Sequence, residues 1–218
     1  GTFHTTTFAE LRTQVAAFAA GLRAMGVGSG DAVVAYLPNV TEAVVASLAT
    51  TSIGAAWSSC PPEFGTRSVI DRFAQVAPKV LIASDGYTYN GKRFGSLSAV
   101  AQIQRGLPTL ERTIVLPYLA RTADLGGLTS AMAWADVPIA GAALRFEPVP
   151  FDHPLYVVYS SGTTGVPKAI VPGHGGVLIE HFKAMALHMD LGEEDCFFWF
   201  TTTGWMMWNF LLSGLLVG

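Results

Sequence analysis

Short apolar segments alternate with amphipathic ones along the first half of the chain, and no other feature constrains the fold as strongly. Residues 32–37, 80–83 and 113–116 are uncharged, rich in β-branched residues, and of the length typical of buried strands. Strands that are apolar on both faces and separated by helices are typical of parallel sheets covered on both sides. The sequence therefore predicts an α/β fold with doubly wound, mostly parallel sheets flanked by helices.

The segments between these strands have the patterns of helices. Apolar side chains recur at steps of three and four over residues 8–25, and Thr7 with Glu10 matches the capping-box pattern. Asn39 and Glu42 are placed to cap the next helix. Further helices are predicted over residues 66–77, 99–104 and 175–191.

Composition narrows the class of protein. Of the 218 residues, 50% are hydrophobic and 13% charged, so much of the chain must be buried. A net charge of -3 gives no electrostatic reason to expect binding to nucleic acid or to an anionic membrane. Cys60 and Cys196 lie far apart without a C-x-x-C spacing, which argues against a zinc site or a disulfide framework and fits the reducing cytoplasm.

Residues 196–218 contain no charged side chain, and a segment of that length could span a bilayer. The polar residues 201–204 interrupt it near the middle. We interpret it as a buried strand over 197–200, a threonine loop, and a buried helix over 205–217. A membrane segment attached to a globular head is the alternative, which detergent dependence would reveal.

A loop rich in glycine and hydroxyl groups lies between two short predicted strands, residues 155–159 and 169–171. Its glycines allow backbone N–H groups to turn toward one side, its hydroxyls add donors, and its lysine adds a positive charge. This combination suits a polyphosphate, although a loop of the same composition that binds nothing is the alternative. The candidate phosphate-binding residues are Ser160, Ser161, Gly162, Thr163, Thr164, Gly165 and Lys168.

Three other patterns are not taken as catalytic. The candidate phosphate loop is not a Walker A motif, because Val166 and Pro167 separate its second glycine from the lysine. The glycines of residues 26–30 follow a helix and precede a strand, the reverse of a dinucleotide fingerprint, and indicate a turn. Histidines at 174, 181 and 188 are seven residues apart, too far along one straight helix to share a metal ion, so no metal site is predicted.

The sequence Tyr-Ser-Ser-Gly-Thr-Thr-Gly-Val-Pro-Lys at 159–168 resembles the phosphate-loop signature of the acyl-adenylate-forming enzymes. That family includes acyl-CoA synthetases, luciferases and peptide-synthetase adenylation domains. Residues 8–39 are similar to the start of its large domain. The segments 56–60, 85–92 and 198–209 are similar to one subfamily, the acetoacetate–CoA ligases.

The resemblance implies a reaction and a set of ligands. An acid, here acetoacetate, is activated with ATP as an acyl-adenylate and is then transferred to CoA, with Mg²⁺ beside the phosphates. The loop residues 160–168 would hold the β- and γ-phosphates. The segment that lines the acyl pocket in relatives corresponds to Thr203, Gly204, Trp205, Met206, Met207, Trp208 and Asn209.

The same resemblance places the family's adenine, ribose and catalytic-lysine motifs after Gly218, so we expect an internal segment of a longer enzyme with no catalytic residue of its own. Residues 1–117 would form a first α/β subdomain, 118–150 a crossing segment, and 151–218 a truncated phosphate-loop subdomain. Residues 86–95 are interpreted as a solvated loop, or alternatively as a rim that meets an anionic ligand such as CoA. An acetyl- or propionyl-type synthetase and a non-catalytic nucleotide-binding remnant are the alternative functions.

Overall fold

The computed structural model describes residues 5–160 and 165–218. The helices are α1 (Phe8–Ala24), α2 (Thr41–Ser52), α3 (Thr66–Phe73), α4 (Leu97–Gly106), α5 (His174–Lys183) and α6 (Met206–Leu212). The strands are β1 (Ala32–Tyr36), β2 (Ala56–Cys60), β3 (Val80–Ser84), β4 (Gly86–Tyr89), β5 (Lys92–Gly95), β6 (Arg112–Leu116), β7 (Ala131–Ala133), β8 (Tyr156–Ser160) and β9 (Lys168–Ile170).

Seven of the described strands form one twisted sheet in the order β7-β6-β3-β1-β2-β8-β9. All neighbours are parallel except β8 and β9, which form an antiparallel hairpin. The chain passes from β1 to β2 on one side and then returns across β1 to β3 on the other. This reversal confirms the doubly wound, mostly parallel α/β fold that the strand and helix patterns predict.

The sheet is buried on both faces. Val33 and Ala35 of β1 face a core built with α1 and α2, whereas Val34 and Tyr36 face a second core built with α3 and α4. Because successive side chains of a strand point to opposite faces, this strand must be apolar throughout. Each fully buried Val or Leu side chain contributes about 1.5–3 kcal/mol relative to an exposed one, so both layers stabilise the sheet.

Helix capping agrees with the sequence at one predicted site and not at the other. The backbone N–H of Glu10 donates to Thr7 Oγ1 at 3.2 Å, and the N–H of Thr7 donates to Glu10 Oε2 at 2.8 Å, so the predicted capping box is confirmed. The prediction that Asn39 caps α2 is wrong. Val40 is the N-cap residue of α2, and within the described parts of the chain no side chain caps this helix end. Asn39 Oδ1 instead accepts a hydrogen bond from Trp208 Nε1 at 2.9 Å.

The interpretation of residues 86–95 as a solvated loop is also wrong, because β4 and β5 pair there as an antiparallel hairpin. Its turn is formed by Asn90 and Gly91, with φ values of 48° and 74°. Two successive residues with positive φ are typical of the tight hairpin turns for which Asn-Gly is the strongest sequence signal. The rings of Tyr87 and Phe94 stack across the strands with centroids 5.2 Å apart.

The C-terminal part differs from prediction at one element. The strand predicted over 197–200 is wrong: these residues have no regular secondary structure, and Phe200 is 87% exposed. A strand requires a neighbour for its backbone groups, and none of the described strands pairs with this segment. The helix predicted over 205–217 is present as α6 followed by the short helical turn Ser213–Leu216. It is not buried throughout as predicted, because Trp205 and Met206 at its start are 61% and 47% exposed. Within the described parts of the chain, no helix combines the length and apolarity needed to cross a bilayer.

The long connection from β6 to β8 is mostly irregular, but a buried carboxylate anchors its start. Asp85, immediately after β3, accepts hydrogen bonds from the backbone N–H groups of Tyr118, Leu119 and Ala120 at 2.8–2.9 Å. Further along, β7 joins the sheet beside β6, whereas β8 joins it beside β2. The three predicted subdivisions thus contribute strands to one sheet, and their boundaries stay a prediction.

Candidate functional site

The hairpin of β8 and β9 carries the candidate phosphate loop. β8 runs parallel to β2, so the loop leaves the sheet at the edge where the strands' carboxyl ends lie, which is where open α/β sheets bind ligands. Ser160 and Lys168 face each other across the base of the loop. The predicted phosphate-binding residues Ser161, Gly162, Thr163 and Thr164 lie outside the described residues.

The described part of the loop suits an anion. Lys168 is exposed and forms no ion pair with any carboxylate in the part of the chain that the structure describes, so its ammonium group is available to a ligand. Gly165 has a φ of 148°, a conformation that favours glycine. The described residues contain no group of three or more His, Cys, Asp or Glu side chains that could hold a metal ion.

Gln75, in the helical turn after α3, holds the hairpin from outside, and no sequence motif points to it. Its Nε2 donates to the carbonyl oxygen of Pro167 at 2.7 Å and to that of Asp71 at 2.8 Å. Its Oε1 accepts from the backbone N–H of Ala169 at 3.2 Å. The side-chain amide thus takes the place of a neighbouring strand at the free edge of β9, next to Lys168. The contact joins residues more than 90 positions apart, which explains why local patterns miss it.

The strand that enters the loop is held from the same side. The Arg72 guanidinium lies 6.0 Å from the centre of the Tyr159 ring and 5.2 Å from that of Phe64, both within cation–π range. The Tyr159 hydroxyl lies 3.2 Å from Ser58 Oγ, and burial raises the pKa of Tyr159 to about 12, so the phenol stays protonated near neutral pH. Helix α3 and the turn that follows it therefore contact both strands of the hairpin.

A cleft of about 780 Å³ lies beside the hairpin. It is bounded by β8 and β9, by α5, and by the turn that leads into α6. Most of its walls are apolar, as expected for a site that takes a small organic ligand. Its lining residues are Tyr156, Val158, Tyr159, Ile170, Pro172, Gly173, Gly176, Val177, Glu180, His181, Gly204, Trp205, Met206 and Met207.

The turn before α6 is fixed over the carboxyl ends of β1 and β2. Thr203 Oγ1 donates to the carbonyl oxygen of Leu37 at 2.8 Å, and Ser59 Oγ donates to that of Thr203 at 2.6 Å. A Cβ atom on Gly204 would collide with the ring of Pro61, so only glycine allows this approach. These contacts place the cleft-lining residues that follow.

The structure separates the seven predicted acyl-pocket residues into two groups. Gly204, Trp205, Met206 and Met207 line the cleft. Thr203, Trp208 and Asn209 are buried and are not among the cleft-lining residues. Trp208 is fully buried, with its ring centre 6.3 Å from that of Trp57 and its indole N–H bound to Asn39. The acyl-binding role of the whole set stays a prediction.

His181 and Glu180 add ionisable groups to the cleft, and neither is predicted as a site residue. His181 Nδ1 lies 2.6 Å from Ser213 Oγ, and the ring meets Phe210 edge-on at 5.2 Å. Burial lowers the pKa of His181, an effect that Glu180 partly opposes, so the neutral ring predominates near pH 7. Glu180 pairs with Lys183 at 2.7 Å, with 66% of the glutamate side chain exposed.

A doubly wound sheet with a hairpin at its carboxyl edge and an apolar cleft beside that hairpin is typical of α/β enzyme domains that bind small molecules. The family described as AMP-binding enzyme matches residues 1–218, and the chain belongs to this family.

Particular relatives share a single activity in their names. The chain is 45% identical over 219 residues to the acetoacetyl-CoA synthetase of Rattus norvegicus and 48% identical over 217 residues to the acetoacetyl-coenzyme A synthetase of Rhizobium meliloti, covering 97% of this chain in both cases. The solved structure of acetoacetyl-CoA synthetase from Streptomyces lividans superposes with a TM-score of 0.94 and 55% identity over 99% of the chain. The chain spans 33% of the length of each of these proteins.

Proposed function

We propose that the chain supplies the phosphate loop and part of the acyl pocket of an AMP-forming acid–CoA ligase that acts on acetoacetate. One observation carries the proposal: the candidate phosphate loop and the apolar cleft share β8. The loop leaves this strand at Ser160, and Tyr156 and Val158 of the same strand line the cleft. An acid in the cleft and a nucleotide on the loop would therefore lie side by side. The names of the relatives support acetoacetate as the acid.

In the first half-reaction, a carboxylate oxygen of the acid attacks the α-phosphorus of ATP. The bond from that phosphorus to the bridging oxygen breaks, and pyrophosphate leaves. Negative charge grows on the departing pyrophosphate, and Lys168 with the loop N–H groups would stabilise it. A Mg²⁺ ion bound to the phosphates would neutralise further charge there.

In the second half-reaction, the CoA sulfur attacks the acyl carbonyl carbon, the thiol loses its proton, and AMP leaves with the oxygen of the mixed anhydride. The β4–β5 hairpin is a candidate contact for CoA, because Lys92 and Arg93 are adjacent and exposed there and CoA carries phosphates. Cys60 and Cys196 are both free thiols, which supports a reducing, cytoplasmic location as part of this proposal.

The cleft has the features expected of a shallow pocket for a short acid. Trp205 supplies a large, stiff wall at low entropic cost, and Met206 and Met207 can fill irregular space around a four-carbon chain. The resemblance to acetyl-CoA synthetases departs at Met207, where those enzymes carry threonine. Pro172, at a position where many relatives have histidine, also lines the cleft.

The experiment is a comparison of kcat/KM for thioester formation by the full-length protein with acetoacetate, 3-hydroxybutyrate, butyrate and acetate. We expect acetoacetate to be the best substrate, by on the order of tenfold or more over acetate and butyrate. A preference for acetate or butyrate would refute acetoacetate as the acid and leave the family assignment standing. Failure to form a thioester with any of these acids would refute the proposed ligase activity.

A further inference from the structure

We propose that His181 is a specificity-determining residue that recognises the oxygen on carbon 3 of the acyl group, and that Ser213 positions its ring for this contact. The inference rests on the proposed function and adds the polar contact that an apolar cleft would otherwise lack. Acetoacetate differs from butyrate only by its 3-keto oxygen. Apolar walls discriminate weakly between two such acids, whereas a polar group left unpaired by the wrong one discriminates strongly.

His181 is a buried polar side chain of the cleft. It is 8% exposed and lines the cleft together with Trp205, Met206 and Met207. Glu180 also lines the cleft, but it is bound to Lys183 and mostly exposed, and a carboxylate would repel the acid. The hydroxyl of Tyr159 is already within hydrogen-bond distance of Ser58.

The imidazole ring is held in one orientation. Its Nδ1 lies 2.6 Å from Ser213 Oγ, and that oxygen lies 3.1 Å from the carbonyl oxygen of Asn209, to which it can donate. The Phe210 ring supports the imidazole edge-on at an interplanar angle of 80°. With Nδ1 engaged, Nε2 is the nitrogen left for a ligand.

The proton of Ser213 can be used in two ways. When it is donated to His181 Nδ1, Nε2 carries a hydrogen and can donate to the 3-keto oxygen of acetoacetate. When it is donated to the Asn209 carbonyl, Nδ1 carries the hydrogen and Nε2 can accept from a 3-hydroxyl group. The pair therefore suits a 3-oxygen of either kind. Butyrate offers no partner and would leave Nε2 desolvated and unpaired, which is unfavourable.

The test uses the full-length protein and three variants. His181→Phe keeps the size of the ring and removes its nitrogens, His181→Gln keeps an N–H donor near the position of Nε2, and His188→Phe is the matched control on an exposed histidine two helical turns further along. The readout is the ratio of kcat/KM for acetoacetate to kcat/KM for butyrate, together with the KM for ATP.

We expect His181→Phe to lower this ratio about 10- to 100-fold, the effect of losing one hydrogen bond in a buried site. His181→Gln should retain most of the ratio, His188→Phe all of it, and the KM for ATP should not change. Equal losses for both acids in His181→Phe would overturn the inference and leave the proposed function intact. If His181→Phe does not fold, the same ratio of kcat/KM for acetoacetate to kcat/KM for butyrate is measured in Ser213→Ala. A lower ratio than in the wild type supports the inference, and an unchanged ratio refutes it. A wild-type protein without preference for acetoacetate would refute the proposed function, and the inference with it.

Discussion

Replacing Gln75 with alanine should raise the KM of the full-length protein for ATP while leaving its fold and its KM for the acid nearly unchanged. The Gln75 amide bonds to the backbone of Pro167 and Ala169, on either side of Lys168. Gln75 itself lies in the helical turn after α3, outside both hydrophobic cores. The substitution therefore frees the outer edge of β9 without opening a cavity in the interior.

The size of the effect follows from the two hydrogen bonds that join Gln75 to the hairpin. An ordinary hydrogen bond within a protein contributes about 0.5–1.5 kcal/mol net, and because both of these are exposed to water, the lower end applies to each. Without them, the ATP-binding position of the hairpin should be about 1 kcal/mol less favourable relative to its other conformations. This corresponds to about a fivefold increase in the KM for ATP.

The assay is steady-state pyrophosphate release at varied ATP concentration, with a thermal melt of each variant. Gln102→Ala is the matched control, since Gln102 is an exposed glutamine on α4 whose side chain accepts from Thr66 rather than contacting the hairpin. An unchanged KM for ATP in Gln75→Ala would refute the positioning role. A lowered melting temperature with equal losses for ATP, acid and CoA would assign Gln75 to folding instead.

The remaining predictions concern the loop lysine, the core and the thiols. Lys168→Ala should weaken ATP use about 10- to 100-fold without changing the fold, because a charge-assisted phosphate contact is worth about 1.5–3 kcal/mol, and unchanged ATP kinetics would make it an ordinary surface lysine. Trp208→Phe should lower the free energy of unfolding by about 1–3 kcal/mol in a urea titration, because it removes part of a fully buried ring together with its 2.9 Å hydrogen bond to Asn39. A change below about 0.5 kcal/mol would contradict this. At pH 8, a thiol reagent should label exposed Cys196 quickly. Cys60 should react only after unfolding, because it is buried and burial raises its pKa to about 12. Fast labelling of both Cys60 and Cys196 would contradict the burial of Cys60. The 218-residue chain spans 33% of the length of the synthetases that it matches, so it should form no acyl-CoA by itself, and thioester formation by the purified chain would contradict this.

The elements predicted correctly are those whose signals are local. The apolar segments of β1, β3 and β6, the Thr7–Glu10 capping box and the end of α1 depend on neighbours in sequence, so periodicity and capping rules suffice. The strand predicted over 197–200 fails because a strand depends on a partner that the segment itself does not encode. The hairpin over 86–95 did have a local signal, the Asn-Gly pair at its turn.

The candidate site depends more on long-range contacts. The loop signature and the residues 204–207 could be recognised in the sequence. The structure places residues 204–207 in the cleft beside the hairpin that carries Ser160 and Lys168. The sequence does not show that Asn39 accepts a hydrogen bond from Trp208 instead of capping α2, since the two residues are 169 positions apart. For the same reason, neither Gln75 nor His181 could be assigned to the site before their partners were known.

The central claim is that this chain belongs to an enzyme that activates acetoacetate as an acyl-adenylate before CoA takes part. The most direct measurement is the exchange of labelled pyrophosphate into ATP, catalysed by the full-length protein in the presence of acetoacetate and in the absence of CoA. Reversal of the first half-reaction predicts exchange that requires acetoacetate, proceeds without CoA, and weakens in the Lys168→Ala variant. Formation of ADP without any such exchange would contradict the claim.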